Sequence, residues 1–225
     1  MENVLTDESK FTRFQGLEWF DPNYTILIGG VGGIGSWLSF LLSRAGYELY
    51  IYDNDIIDET NMGGQLYSTL DIGKNKAKAM KEHLWNFTAN DKVHVMGLFD
   101  KKSFANPIMF SAFDNMKARK IMFEKWRKQK NKKIFIDGRL LAESFQIFTV
   151  IPGREEDYEK HLFDDSDVED LLCSVKATSH CSAMIASTMM SIFTNHIANE
   201  KSEFEGRDVP FKYLFDVPLL LQTIE

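Results

Sequence analysis

The chain has 225 residues, of which 44% are hydrophobic, and a formal net charge of −7. That length suits one globular domain with its own core, and the negative balance argues against a general nucleic-acid binder. No apolar run approaches the ~18 residues of a membrane span; the acidic start lacks a signal-peptide core; and two cysteines, Cys173 and Cys181, make no disulfide framework, so a cytoplasmic protein with reduced thiols is expected.

Residues 1–24 read as an N-terminal arm, either irregular or a short helix, in which Lys10-Phe11-Thr12-Arg13-Phe14 mixes bases and aromatics. A nucleotide-binding core is expected over 25–150. It begins with a strand at 25–30, a helix at 33–45 and a second strand at 48–53. The polar segment from Asn54 to Leu70 reads as loop. A helix is expected from Asp71 to Phe87, because Ala77, Met80, Leu84 and Phe87 recur on one face. Further strands are expected at 92–96, 107–113, 133–137 and 145–151. The last of these alternates and is placed at a sheet edge. A helix at 116–129 carries a basic outer face from Lys117 to Lys133, read as solvated surface. The acidic, apolar-poor stretch after Gly153 reads as part of a mobile crossover loop over 151–177. A helix at 178–198, with Cys181 on its apolar side, and a closing segment to 225 complete a single domain. Strands that alternate with helices predict a Rossmann-like, doubly wound α/β fold. Its sheet would be mostly parallel, with helices on both faces and an antiparallel C-terminal extension.

The chain is organised around one turn. A short apolar run, Thr25 to Ile28, feeds Gly29-Gly30-Val31-Gly32-Gly33-Ile34-Gly35 and then a helix. Gly30, Gly32 and Gly35 spell G-x-G-x-x-G in the strand–turn–helix context that a nucleotide phosphate requires. The turn is tight, backbone must approach phosphate closely, and the helix start offers N–H groups and a positive dipole end. Asp53 ends the next strand, where a ribose hydroxyl would bind. A nicotinamide-dependent oxidoreductase would share these features, but it leaves Asn61, Lys76 and Asp114 unexplained.

Further motifs follow in order: Asp53-Asn54-Asp55, Asn61 with Gln65, Gly73 with Lys76, and Asp114-Asn115 with Arg119. With the turn Gly30-Gly32-Gly33-Gly35, these resemble the ThiF/MoeB/HesA superfamily of ubiquitin-activating-enzyme-like adenylyltransferases. That family's pattern is G-x-G-G-x-G, D-x-D, N-x-x-R-Q, G-x-x-K and D-N-x-x-x-R. Arg13 is similar to the arginine of its N-terminal R-Y-x-R-Q motif. The resemblance covers residues 10–140 well and 170–200 loosely.

The resemblance implies Mg·ATP-dependent adenylation of the C-terminal carboxylate of a small ubiquitin-like or sulfur-carrier protein. Asp53 would bind ribose, Asp114 would hold Mg²⁺, and Lys76 would neutralise the α- and β-phosphates. Asn61 would contact ribose or phosphate, and Gln65 would order the loop. Asp55, Asn115 and Arg119 complete the binding set. Arg13 would reach the ATP of a second subunit, which implies a homodimer. Cys173 matches loosely the cysteine that some members use as an acyl acceptor, and a small buried residue is the competing reading. Asp114 could instead cap a helix, and Arg119 could be a solvated or ion-paired side chain. The acidic loop would close over the acceptor's tail.

Two departures matter. The family's arginine before glutamine is Gly64 here, so one phosphate clamp is missing, and a catalytically degenerate scaffold subunit of a heterodimeric activator becomes an alternative. The paired C-x-x-C zinc site is absent too, and two cysteines cannot build a Cys₄ cage, so no structural zinc is expected.

Overall fold

Ile26, Leu27 and Ile28 are all fully buried, although successive strand residues point to opposite faces. Their strand is therefore covered on both sides. The computed structural model, which describes residues 7–164, 178–202 and 206–225, shows how. Strand β1 (Thr25–Gly29) lies inside an eight-stranded sheet. The other strands are β2 (Glu48–Tyr52), β3 (Val93–Val95), β4 (Ile108–Ser111), β5 (Ile134–Leu141), β6 (Ser144–Val150), β7 (Lys212–Asp216) and β8 (Leu221–Ile224). Their order is β3-β2-β1-β4-β5-β6-β7-β8. Pairing is parallel from β3 through β5 and antiparallel from β5 through β8.

The helices are α1 (Asp7–Phe11), α2 (Gly33–Arg44), α3 (Lys76–Thr88), α4 (Met116–Arg127), α5 (Glu155–Glu159) and α6 (Ser179–Lys201). Ile26 and Ile28 join α2, α3 and α6 in one apolar cluster through Leu38, Leu42, Met80, Leu84, Met189 and Phe193. Leu27, on the other face, joins α4 and α5 through Met122, Phe123, Trp126 and Tyr158. The doubly wound, mostly parallel sheet with an antiparallel C-terminal part is thus the fold that strand–helix alternation predicts. No helix among the described residues is long and apolar enough to cross a membrane.

The order fixes where a ligand goes. From β1 the chain winds to β2 and β3 on one side, then returns to place β4 on the other side of β1. The crevice above the carboxyl ends of β1 and β4 is the topological switch point, where open α/β sheets bind ligands.

Several expectations need correction. The helix expected from Asp71 starts only at Lys76. Asp71 instead closes a short 3₁₀ turn by accepting from the Ser68 backbone N–H (2.9 Å) and hydroxyl (2.8 Å), and Gly73 at φ +87° breaks helical continuity. Strand β6 is not at an edge; it lies between β5 and β7. Its alternation arises because Phe145 and Ile147 pack into the core while Ser144 and Gln146 stay partly open. The edge on this side of the sheet is β8, which is exposed throughout. Strand β5 runs on to Leu141, through Gly138. A Cβ at Gly138 would lie 2.5 Å from Met189 Sδ, so glycine here lets α6 approach the sheet. Part of the expected crossover loop is the helix α5, which buries Tyr158 against Phe123, Phe135 and Phe148. Residues 165–177, with Cys173, lie outside the described residues. Cys181 is fully buried, as its place on the apolar side of α6 requires.

Candidate active site at the switch point

The glycine turn is built by steric necessity. Gly30 has φ +85°, and a Cβ on it would lie 2.8 Å from the Ala112 carbonyl oxygen beyond β4. A Cβ on Gly35 would lie 1.8 Å from Gly30 O, so the first turn of α2 can sit against the strand end only as glycine. At Gly32 the nearest atom to a Cβ is Gln65 Nε2 at 3.9 Å, so that position stays open. No side chain caps α2, and its first turn holds no acidic residue. Its unpaired N–H groups and positive end face the crevice.

Asp53 locks this turn to the end of β2. Its carboxylate accepts from the Val31 and Asp55 backbone N–H groups, both at 2.9 Å. Burial pushes the Asp53 carboxyl above the ordinary aspartate value, outweighing those two bonds and the nearby Lys76. Tyr67 completes the lock by donating its hydroxyl to Val31 O at 2.7 Å.

Lys76 reaches the same place from the far side. Asn75 caps α3 by accepting from Lys78 N–H at 3.1 Å, and its amide donates to Asp55 O at 3.2 Å. That ties the start of α3 to the chain after β2. Lys76 Nζ then lies 2.9 Å from Asp55 Oδ2, with the lysine side chain 10% exposed and the aspartate 66%. The ammonium is thus held near the crevice by a partner that water can replace.

After β4, Asp114 projects into the crevice. The capping alternative for it fails, because Asn115 caps α4 by accepting from Ala118 N–H at 2.9 Å. Asn115 also donates its amide to Asp114 Oδ1 at 3.2 Å.

These pieces enclose a cleft of about 210 Å³, lined by Gly30, Gly32, Asp53, Asp55, Lys76 and Asp114, with Tyr52, Phe99 and Phe113 as its apolar wall. A second cleft of about 300 Å³ shares Gly33, Gln65, Lys76 and Asp114 with the first and adds Asn61 and Gly64. Gln65 Oε1 is buried there without a hydrogen-bond partner among the described residues. Asn61 also serves its own loop: its side-chain oxygen accepts from Asp58 N–H at 3.1 Å, and its segment is held to α2 by Trp37 Nε1 donating to Gly64 O at 3.1 Å. Tyr52, Phe99, Phe113, Tyr67 and Trp37 were not legible as site residues, because nothing in their local spacing separates them from core aromatics.

Two predicted site residues lie elsewhere. Arg119 is buried, and its guanidinium donates to Asp137, to Gly138 O at 2.9 Å and to Phe113 O. It reads as an internal brace under the Asp114 loop, and it lines neither cleft. Asp137 is fully buried and also accepts from Arg139 Nε at 2.7 Å and Tyr158 OH at 2.8 Å. Burial would raise its carboxyl, but Arg119 and Arg139 outweigh burial and hold it below the ordinary aspartate value. Arg13 is exposed on the arm, which docks at the opposite end of the sheet. Lys10 Nζ donates to Ala89 O at 3.2 Å there, and the Phe11 ring sits so close to Gly46 that a Cβ would lie 2.4 Å from it. The chain therefore does not bring Arg13 to its own cleft.

Four carboxylates (Asp53, Asp55, Asp58 and Asp114) face one cation, Lys76, across the two clefts. A polyphosphate would enter only with added positive charge. No group of three or more His, Cys, Asp or Glu side chains among the described residues is placed to hold a metal alone. A magnesium ion that takes one or two carboxylates and completes its shell with phosphate oxygens and water fits this wall.

Fold and crevice together define a Rossmann-like α/β protein with a polar cleft at the switch point of its sheet. A family model matches residues 22–215, and the chain belongs to the ThiF family. One relative, the tRNA threonylcarbamoyladenosine dehydratase of Bacillus subtilis (strain 168), is 32% identical over 87 residues, 38% of this chain and 34% of that protein. The match therefore spans about a third of that relative's length. Among solved structures, MccB of E. coli superposes with a TM-score of 0.75 at 18% identity, covering 96% of this chain and 71% of MccB. PaaA superposes with a TM-score of 0.70 at 18% identity, covering 100% and 85%. MccB has been solved with ATP and with MccA.

Proposed function

We propose that the chain is an adenylyltransferase that activates the C-terminal carboxylate of a small ubiquitin-like or sulfur-carrier polypeptide ending in glycine. The observation that carries this reading is the convergence of Asp53, Lys76, Asp114 and the glycine turn, from four separate elements, on one cleft. In the reaction, the acceptor's carboxylate oxygen forms a bond to the α-phosphorus of ATP. The bond from that phosphorus to the bridging oxygen breaks, and the electron pair leaves on pyrophosphate. The main obstacles are charge repulsion and misorientation, so cations and positioning suffice.

Asp53, ionised, would accept from ribose hydroxyls. The glycine turn lets backbone approach the phosphates, with the start of α2 aimed at them. Lys76 would exchange the exposed Asp55 for phosphate oxygens as the nucleotide enters. Asn61 and Gln65 would bond the ribose or phosphates from the second cleft. Asp114, steadied by Asn115, would hold Mg²⁺, which supplies the charge neutralisation that one lysine cannot. A second copy of the chain would add Arg13 in trans, since the arm faces away from its own cleft. That MccB, a structural neighbour, has been solved with ATP supports a nucleotide in this cleft. Exchange of labelled pyrophosphate into ATP, dependent on a glycine-terminated acceptor and lost in Lys76→Ala, tests the reading.

Gly64 favours a second reading. With no arginine there, Lys76 is the lone cation among the lining residues, and the chain could serve as the scaffold half of a heterodimer. Tight ATP binding with no exchange on any acceptor would select it.

A further inference from the structure

Sequence spacing reads the lysines of α4 as plain solvated surface, but the structure gives them a shape. Lys101, Lys120, Ile121, Glu124, Lys125 and Lys128 line a groove of about 480 Å³ along the outer side of α4. Ile121 in it packs on the core cluster beneath, so the groove has an apolar patch among cations. The groove adjoins the nucleotide cleft along two elements at once. Leu98 and Phe99 line the cleft and Lys101 the groove; Asn115 and Ala118 line the cleft, and Lys120 and Ile121, the next turn of α4, line the groove.

The face already takes carboxylates. Lys120 pairs with Asp164, and Lys128 Nζ lies 3.2 Å from Glu124. Lys101 and Lys125 have no ion-pair partner among the described residues. In a chain of net charge −7, two unpaired lysines beside an apolar patch form a local field of opposite sign.

We infer that this groove docks an acidic segment of the acceptor polypeptide, one with an apolar residue among its carboxylates, upstream of the carboxylate to be activated. The direction of the tail, from groove to cleft, rests on the adenylation reading above. A peptide can set carboxylates on Lys101 and Lys125 and an apolar side chain on Ile121 while stepping past Glu124. A nucleic acid fits less well: Glu124 would oppose an unbroken line of phosphates, and the groove offers no arginine fork for bidentate phosphate contact.

The probe is a short fluorescein-labelled peptide of alternating glutamate and leucine that ends in a free glycine, followed by fluorescence polarisation without ATP. Its glutamine counterpart and a single-stranded RNA of equal charge serve as comparisons. The acidic peptide should bind more tightly than both, and its affinity should fall with added salt. Lys101→Glu with Lys125→Glu should weaken it about tenfold or more and leave ATP affinity unchanged. Equal binding of the glutamine peptide, better binding of the RNA, or wild-type affinity in the double variant would overturn the docking. Because this assay needs no turnover, absent pyrophosphate exchange beside intact docking would sink the adenylation reading alone.

Discussion

Two motif cations, Lys76 and Arg119, each pair with an aspartate, and the two pairs differ in one respect that decides their use. In Lys76–Asp55 the cation is buried and the aspartate is 66% exposed. In Arg119–Asp137 the cation is equally buried, but the aspartate side chain is fully buried, with Arg139 and Tyr158 on its other oxygen. The first pair can open at little cost, since its anion returns to water. The second cannot, because opening it would leave a charge in the core. Motif residues of similar chemistry thus divide into a group that can meet a ligand and a group that holds the loop on which the ligand site stands.

Breaking the closed pair should have the largest effect. Arg119→Met leaves Asp137 undercompensated and should cost about 3–5 kcal/mol of stability, read as a lower midpoint in urea unfolding. A change under about 1 kcal/mol, within the range of a surface pair, would show that the brace does not matter. Lys76→Ala should leave stability near wild type yet lower pyrophosphate exchange by ~10²–10³. Equal exchange rates in the two proteins would remove Lys76 from the mechanism.

The same contrast shows what a sequence can carry. The glycine turn was legible because each glycine answers a local steric demand, at Gly30 from φ and at Gly35 from the approach of its own strand. Lys76 and Asp114 were legible by spacing from the elements that present them. Arg119 was legible as a motif residue but not as a brace, since its partner stands on β5 and no short-range pattern links the two. The interior place of β6 was hidden for a related reason: alternation reports that one face is open, and a strand's neighbours do not enter into it. The start of α3 was misplaced because side-chain capture of the turn by Asp71 leaves the helical periodicity intact.

Gly64→Arg sharpens the comparison from the other direction. Gly64 has φ −131°, which any residue adopts, and it borders the cleft of about 300 Å³. A second cation there should raise exchange on the order of tenfold; a slower enzyme would mean that the missing clamp is not what limits it. Acidity separates the pairs further. The folded Asp137 carboxyl titrates below its unfolded value of about 3.9. Its stabilisation is therefore present above about pH 4 and is lost as pH falls through the folded value. Asp137→Asn should flatten that acid limb in thermal melts taken at decreasing pH, and an unchanged limb would assign acid unfolding to other groups. Smallest of all, Asp55→Asn should change stability by only about 0–1 kcal/mol, since Asp55 is mostly exposed, and it should leave Lys76 free for phosphate.

Where the triphosphate sits is the most direct measurement. A crystal structure with magnesium and a non-hydrolysable ATP analogue should show phosphate oxygens on Lys76 Nζ, a metal bridging them to Asp114, and ribose on Asp53. Phosphates lodged on another face of the sheet, with Lys76 still paired to Asp55, would contradict the account.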